Sequence, residues 1–377
     1  MTTLSSLTRH RHQQQRDELL CVLRQRAPPM KIIHVLRSYD GDATSTSALS
    51  SSAQMLLLDV LRTDPATAMS PYTSSYTQRI FRAAVRAADN NCEDALADAL
   101  TSVQHHHTHL DEDADDWGYK TYTYHITNSD EDASTTMTTT TTTMMMMMTI
   151  RVSGNIFAAS TGGAAWDASF YMCEWLRAHH EMLTPAEMVA ELGCGSGALG
   201  CFVLREEWAE AAMHMKMMML TDGDADAVDN ASSNLRRNGI MCRSVSTEQR
   251  EPESESNAPS SSSSSVDVRT RVLRWEENVP ADCRGCFDLL LATDVVYAPE
   301  AIEPLISTAH AMLKPGARCV IANALRTPAS LELLESSAAA RGFDVILPAD
   351  VPPAPACFMH HLTLDRASMR VHILTRT

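Results

Sequence analysis

The chain has 377 residues, 44% of them hydrophobic, so it can bury a substantial core and is not disordered throughout. Its formal net charge of −16 argues against bulk electrostatic attraction to nucleic acid or to an anionic membrane surface. No run of the sequence is long and apolar enough to predict a transmembrane helix.

The cysteines and the N-terminus indicate a reducing compartment. Of ten cysteines, one close pair is present, Cys283 and Cys286. A zinc site needs two more ligands at suitable spacing, so we expect no structural metal and free thiols of a cytoplasmic protein. The first twenty residues lack the apolar region of a secretory signal. A mitochondrial presequence is the alternative, which Asp17 and Glu18 weaken.

The N-terminal part of the chain predicts a helical region followed by a hairpin. Apolar residues recur at helical spacing in four segments, residues 14–25, 53–63, 73–88 and 93–103. Alternating apolar and polar residues then predict a strand at 119–126, with an antiparallel partner at 149–158.

Three low-complexity stretches interrupt these elements. Residues 104–116 are rich in His and Asp, 128–148 in Thr and Met, and 244–266 in Ser. We interpret all three as surface loops, because added loop length costs little free energy. The histidines at 105–109 could bind a metal ion adventitiously, although a solvated loop is the stronger interpretation.

From residue 166 onward, predicted strands alternate with predicted helices. The helices are predicted at 166–178, 197–210, 224–237, 300–312 and 328–341, and the strands at 187–192, 216–221, 268–275, 287–293, 318–323, 343–347 and 369–375. This order indicates an α/β fold, a doubly wound, mostly parallel seven-stranded sheet whose last strand can run antiparallel. The chain therefore divides into a helical region at 1–110, a low-complexity linker with a strand at 111–148, and an α/β domain at 149–377.

The segment from Glu191 to Gly197 closes an apolar strand with alternating glycines, Gly193, Gly195 and Gly197. Glycine permits positive φ and leaves no Cβ in the way, so such a turn brings backbone close to a nucleotide-like ligand at a helix N-terminus. The pattern alone is moderately specific.

Polar or aromatic residues stand at three further predicted strand ends, Asp222, Trp275 and Asp294. The carboxyl ends of parallel strands share one edge of the sheet, so these residues should meet there. Asp222 lies 29 positions after Gly193 (222 − 193), against roughly 20 for a ribose-binding acid. It could accept hydrogen bonds from ribose hydroxyls, or Asp222 or Asp224 could simply cap the next helix. Trp275 could stack on a purine, Trp166 could lie over the site, and either could be ordinary core.

A nicotinamide enzyme is the competing interpretation, because Gly193, Gly195 and Ala198 also fit the dinucleotide pattern. Three features oppose it. Glu191 stands where dinucleotide-binding strands are apolar, the pattern is internal to the chain, and no constellation for hydride chemistry is present.

These residues resemble the seven-strand (class I, Rossmann-like) S-adenosylmethionine-dependent methyltransferases. The resemblance extends to the protein-lysine methyltransferases with an Asp-x-x-Tyr motif after the fourth strand, here Asp294 to Tyr297, and within them to the elongation factor 2 lysine methyltransferases. It covers residues 149–347 well and 53–126 faintly. Four passages carry it: Thr161-Gly162 with Trp166 to Ser169 and Glu174-Trp175, Glu191 to Gly197, Ala292 to Ile302, and Arg326-Thr327-Pro328.

The resemblance implies a cofactor, S-adenosyl-L-methionine, and a set of residues that contact it. The implied cofactor-binding residues are Trp166, Glu191, Gly193, Cys194, Gly195, Gly197, Asp222, Trp275 and Thr293, and the implied catalytic residues are Asp294 and Tyr297. Two residues depart from the family's pattern. Thr293 stands where a small apolar residue is common, and Arg274 where an Asp often precedes the tryptophan.

The implied activity is methylation of a protein lysine, in elongation factor 2, by a cytoplasmic monomer that engages neither nucleic acid directly nor membrane. Asp294 would orient the lysine more than deprotonate it, because a carboxylate favours the ammonium form. Tyr297 could shape the acceptor channel or pack behind the strand end. Two alternatives stay open: a methyltransferase acting on another protein residue or a small molecule, and a non-catalytic interaction module.

Overall fold

The structure, a computed structural model, describes residues 2–39, 47–66, 72, 74–105, 117–129, 141–153, 161–205, 214–245, 266–359 and 364–377. The chain divides into two units. The first comprises Met1–Asn155 with Phe358–His361, and the second comprises Ile156–Cys357 with Leu362–Thr377. No helix among these described residues is both long and apolar enough to span a membrane.

The first unit contains the predicted helices and one that the sequence did not indicate. Its helices are α1 (Thr2–Arg24), α2 (Pro29–Tyr39), α3 (Ser51–Thr63), α4 (Ser74–Ala88) and α5 (Asp94–His105). Helix α2 is not among the predicted helices, and it begins at Pro29, directly after Pro28. Proline is tolerated at the first helical position, where Pro29 stands, since the N–H it lacks has no partner within the helix there.

Apolar side chains from all five helices form the core of this unit. The largest of these buried residues are Leu19, Leu23, Ile32, Leu36, Leu57, Ile80, Phe81 and Leu96. A buried ion pair lies beside them, with the Arg24 guanidinium 2.7 Å from the Asp64 carboxylate. Asp64 also accepts hydrogen bonds from the Tyr72 hydroxyl and the Ala66 amide, so its charge is fully partnered.

A two-stranded antiparallel hairpin completes the unit, β1 (Trp117–Ser129) with β2 (Thr141–Ser153). The expectation of a loop over the whole Thr/Met stretch was wrong. Residues 141–148 belong to β2, because their backbone pairs with residues 122–129 of β1. Phe358 and Met359, from near the C-terminus, pair along β1 through the Met359 amide and the Thr123 carbonyl, 2.9 Å apart. Residues 130–140 and 154–160 lie outside the described residues, as do 106–116 and 246–265.

The second unit is built around a sheet with eight described strands rather than the seven predicted. They are β3 (Met188–Leu192), β4 (Met217–Asp222), β5 (Arg243–Ser244), β6 (Asp267–Val272), β7 (Phe287–Thr293), β8 (Leu313–Ala324), β9 (Phe343–Ile346) and β10 (Met369–Arg376). Their order is β5-β6-β4-β3-β7-β8-β10-β9. The added strand is the two-residue edge strand β5.

The sheet is mostly parallel, which confirms the predicted α/β class. Strands β3 to β8 pair in parallel with one another in the sheet. Strand β10 runs antiparallel to both of its neighbours, β8 and β9. Strand order reverses beside β3, with β4 on one side and β7 on the other. In open α/β sheets a ligand crevice forms at this point, outside the carboxyl ends of the strands.

Helices accompany the sheet: α6 (Asp167–Ala178), α7 (Ala198–Val203), α8 (Ala225–Arg237), α9 (Pro299–Met312) and α10 (Pro328–Ala340). Helix α7 is described only to Val203, and residues 206–213 of the predicted helix lie outside the described residues. The domain boundary predicted between residues 148 and 149 falls inside β2.

Candidate active site

A cleft opens at the carboxyl edge of the central strands, where strand order reverses. Eight of the residues singled out in the sequence line it together: Trp166, Gly193, Gly195, Asp222, Trp275, Thr293, Asp294 and Tyr297. They come from five separate stretches of the chain. The fold therefore brings to one place the residues that the sequence could only place at the ends of different strands.

The floor of the cleft is the glycine turn between β3 and α7. Gly195 has a left-handed φ of 51°, and a Cβ added there would lie 3.7 Å from Gly162 Cα, in ordinary contact. A Cβ on Gly193 would meet Val295 Cγ1 at 2.9 Å and Trp275 Cζ2 at 3.4 Å. The turn thus leaves backbone exposed to a ligand, with the Trp275 ring and the Val295 side chain packed beside it.

Asp222 ends β4 and links it to this turn. Its Oδ2 accepts a hydrogen bond from the Gly195 amide at 2.9 Å, and its Oδ1 accepts one from the Asp224 amide at 3.1 Å. Burial raises the pKa of the Asp222 carboxyl above its ordinary value, while these amides oppose the rise. The capping alternative is resolved in favour of Asp224, which is the N-cap of α8 and accepts from the Asp226 amide at 3.0 Å.

Trp275 is not at the end of a strand as predicted, because β6 ends at Val272 and the tryptophan lies in the following loop. It is half-buried, and its indole N–H has no hydrogen-bond partner among the described residues. Arg274 and Glu276, on either side of it, also line the cleft.

The Asp294 to Tyr297 segment divides its side chains between core and cleft. Val295 and Val296 are buried, whereas Tyr297 is 53% exposed and lines the cleft. Tyr297 therefore does not pack behind the strand end, which was one of the two possibilities. Asp294 has a left-handed φ of 54°, uncommon for a residue with a side chain and frequent at functional sites. Its amide donates to the Ala322 carbonyl at 2.8 Å.

The Asp294 carboxylate is almost fully shielded from solvent and is paired. Its Oδ2 lies 2.5 Å from the Arg326 guanidinium, which comes from the loop after β8. Burial raises the pKa of the Asp294 carboxyl, the Arg326 charge opposes this most strongly, and the Asp167 carboxylate adds to the rise. Next to Asp294, the Thr293 hydroxyl shares a 2.9 Å hydrogen bond with the Ser169 hydroxyl of α6.

Three residues predicted to contact the cofactor do not line the cleft. Gly197 is the N-cap of α7 with φ 72°, and an added Cβ would lie 2.9 Å from Ala231 Cβ of α8, so its smallness serves helix packing. Cys194 is buried and donates its amide to the Thr221 carbonyl. Glu191 is completely buried beneath the turn.

Glu191 is a buried acid of unusual environment. Burial raises the pKa of its carboxyl well above the ordinary range, and the Asp222 carboxylate adds to the rise. Among the described residues, the backbone of Gly200 in the first turn of α7 acts in the opposite direction and favours the ionised form.

Several groups in or beside the cleft were given no role from the sequence, although Gly162, Ala301 and Arg326 lie in the passages that carry the family resemblance. Gly162, Gly223, Leu273 and Ala301 line the cleft. Arg326 pairs with Asp294, and its Cζ lies 5.7 Å from the centre of the Trp166 ring. Arg326 is part of the Arg326-Thr327-Pro328 passage, but nothing in the sequence indicated that it pairs with Asp294.

Within the described residues, no three His, Cys, Asp or Glu side chains are grouped so as to hold a metal ion. All ten cysteines lie in described segments as free thiols. The side chains of the histidine cluster at 105–109 lie outside what the structure describes.

Comparison with solved structures returns methyltransferases among others. The chain is similar to a TehB-like SAM-dependent methyltransferase from Corynebacterium glutamicum (15% identity, covering 58% of this chain and 91% of that chain, TM-score 0.34). It is also similar to a ribosomal protein L11 methylase from Lactobacillus delbrueckii subsp. bulgaricus (18% identity, covering 55% of this chain and 79% of that chain, TM-score 0.33). A third similar structure is the YcgJ protein from Bacillus subtilis (10% identity, covering 53% of this chain and 97% of that chain, TM-score 0.35). No curated protein matches the sequence. The family assignment does not depend on these distant likenesses.

A family model covers the part of the chain that forms the cleft. Residues 147–340, just over half of the chain, match the model of a family described as lysine methyltransferase. The matched region contains every residue that lines the cleft. The chain therefore belongs to the lysine methyltransferase family and is a methyltransferase that depends on S-adenosylmethionine.

Proposed function

We propose that this protein transfers a methyl group from S-adenosylmethionine to the side-chain amine of a lysine in a protein substrate, and that the substrate is elongation factor 2. The observation that carries the proposal is the position of Asp294 in the same cleft as the glycine turn and Asp222. A carboxylate at that point can orient an amine. The family description and the resemblance of the Asp294 to Tyr297 motif support lysine as the acceptor.

The residues of the cleft fit the cofactor. The Asp222 carboxylate would accept hydrogen bonds from the ribose hydroxyls, since each of its oxygens already takes an amide and has a further lone pair. The face of Trp275, which lines the cleft, would lie against the adenine. The backbone at Gly193 and Gly195 would lie against the amino-acid end, where a Cβ would intrude.

The cofactor would supply an electrophilic methyl group on a sulfonium. The lone pair of the acceptor amine would attack the methyl carbon, so that an N–C bond forms as the C–S bond breaks and the neutral thioether S-adenosylhomocysteine leaves. The protein's own work is to align the acceptor with that methyl group and to exclude water. The amine must first lose a proton, which at pH 7 costs about 4.6 kcal/mol for a lysine of pKa about 10.4. Burial in the cleft lowers this cost, because it disfavours the ammonium form.

Labelling in a cell extract tests the proposal. The purified protein and S-adenosylmethionine labelled in the methyl group are added to extract, and labelled protein is hydrolysed to identify the modified amino acid. We expect methyl-lysine in a band of the size of elongation factor 2. The label should disappear with Asp294→Ala and persist with the control Asp344→Ala, an exposed acid on β9.

Other labelling patterns would identify the alternatives. Methyl-histidine, or label confined to small molecules, would overturn the lysine assignment. Methyl-lysine in a protein of another size would overturn elongation factor 2 alone. We further propose a cytoplasmic, monomeric enzyme that engages neither nucleic acid directly nor membrane. The net charge of −16 supports the absence of these two partners, because it opposes attraction to other polyanions.

A further inference from the structure

Arg326 joins two walls of the cleft. Its guanidinium donates to Asp294 Oδ2 at 2.5 Å, and the same group lies 5.7 Å from the centre of the Trp166 ring, within the range of a cation–π interaction. Asp294 belongs to the segment after β7, and Trp166 precedes α6. Arg326 itself is half exposed, whereas the Asp294 side chain is 8% exposed. The pair can therefore be disturbed from the arginine side without opening the core.

The Asp294 backbone fixes where its carboxylate projects. Its φ of 54° is held by the amide hydrogen bond to the Ala322 carbonyl on β8. The next residues are anchored as well, because the Val296 amide donates to the Asn323 side chain at 3.1 Å. The backbone thus fixes the position of the Asp294 carboxylate at the cleft. The net charge at that position depends on whether Arg326 is paired with the carboxylate.

An unpaired carboxylate at this position would oppose the reaction. A carboxylate within hydrogen-bond distance of a lysine favours the ammonium, which has no lone pair to attack the methyl group, by about 1–3 pKa units. A carboxylate whose charge is already matched by a guanidinium can still accept a hydrogen bond from a neutral amine. Asp294, which is paired with Arg326, is a carboxylate of this charge-matched kind.

We propose that Arg326 is a positioning residue that neutralises the Asp294 carboxylate, so that this carboxylate orients the acceptor amine without stabilising its ammonium form. The inference rests on the proposed lysine acceptor. It explains how an acid can stand beside the reacting amine in an enzyme that needs the amine uncharged.

Other charged groups near Asp294 do not supply this neutralisation. Asp167, at the start of α6, is an acid and acts against it. The remaining titratable groups that line the cleft are Tyr297, Asp222, Arg274 and Glu276. Of these, Arg274 is the one cation, and its guanidinium lies 3.4 Å from the Glu277 carboxylate. Arg326 is thus the cation placed to act on Asp294.

The test compares Arg326→Met with Arg326→Lys in the full chain, using the protein acceptor that the labelling experiment identifies. The pH dependence of kcat reports the ionisation of the bound acceptor. With Arg326→Met we expect its acid limb to move up by about one pH unit or more, and kcat at pH 7 to fall about tenfold. Arg326→Lys, which keeps the charge, should stay close to wild type.

Binding supplies a readout that needs no turnover. With S-adenosylhomocysteine present, Arg326→Met should bind the acceptor protein more tightly at pH 7 than wild type does, because its Asp294 is free to pair with the ammonium. An unchanged kcat limb overturns the inference, and so does unchanged or weaker acceptor binding. If both variants are inactive at every pH, the binding result decides. A wild-type enzyme that labels no lysine removes the proposed function itself, whereas an unmoved limb in an active variant removes only the role of Arg326.

Discussion

Two glycines of one turn should respond differently to the same substitution. Gly195 and Gly197 both have left-handed φ, 51° and 72°, so an alanine at either costs about 1–2 kcal/mol in backbone strain. Alanine at Gly195 meets only ordinary contact, with Gly162 Cα at 3.7 Å. Alanine at Gly197 would lie 2.9 Å from Ala231 Cβ and 3.1 Å from its Cα, which adds an overpacking cost of about 1–3 kcal/mol.

The total for Gly197→Ala is therefore about 2–5 kcal/mol, which lowers the melting temperature by roughly 4–20 °C at about 2–4 °C per kcal/mol. Gly195→Ala, with the strain alone, should lower it by roughly 2–8 °C. Cofactor affinity should show the opposite order. Gly195→Ala places a methyl group in the cleft and should weaken S-adenosylmethionine binding at least about tenfold, an effect of about 1.4 kcal/mol.

Differential scanning calorimetry and titration calorimetry on the two variants measure both quantities. The reasoning is refuted if Gly197→Ala melts no lower than Gly195→Ala. It is equally refuted if Gly197→Ala loses cofactor binding while keeping wild-type stability, since Gly197 would then contact the cofactor as the sequence pattern suggested.

Three further substitutions have defined outcomes. Asp222→Asn should weaken S-adenosylmethionine binding about tenfold by calorimetry, because a hydrogen bond to a charged acceptor contributes about 1.5–3 kcal/mol, while an unchanged affinity would exclude ribose binding. Glu191→Gln should stabilise the protein above pH 5. Burial raises the pKa of the Glu191 carboxyl, so its contribution to stability is full below the pKa of about 4.3 in the unfolded chain and declines as the pH rises above that value. The melting temperatures of Glu191→Gln and wild type should therefore diverge between about pH 5 and 8. Arg24→Met should destabilise the first unit by about 3–5 kcal/mol, because it leaves the Asp64 carboxylate buried without its cation. Limited proteolysis of the helices should then be faster, and a rate equal to wild type would show that the pair is dispensable.

The central strands could be predicted from sequence because both of their faces are buried. Residues 188–192, 217–222 and 287–293 form short, mostly apolar runs bounded by turn residues, and such runs fit a parallel sheet between helix layers. The extent of the hairpin could not be predicted in this way. The Thr/Met stretch has no alternation, and residues 141–148 become strand because β1 offers a partner for their backbone.

The glycine turn, Asp222 and the Asp294 to Tyr297 segment could also be identified from the sequence, since each follows a predicted strand and parallel strands end at one edge. What each of these residues contacts was decided by tertiary structure. Gly197 packs on α8, Glu191 lies buried, and Asp224 rather than Asp222 caps the helix.

The sequence by itself determined the class of fold, the edge of the sheet where the cleft opens and the residue types gathered there. These follow from local patterns, the period of apolar residues and the glycines that permit a tight turn. Only the tertiary structure decided that Arg326 and Asp294 meet. The two are far apart along the chain, and a guanidinium reaches a carboxylate only once β7 and β8 lie side by side.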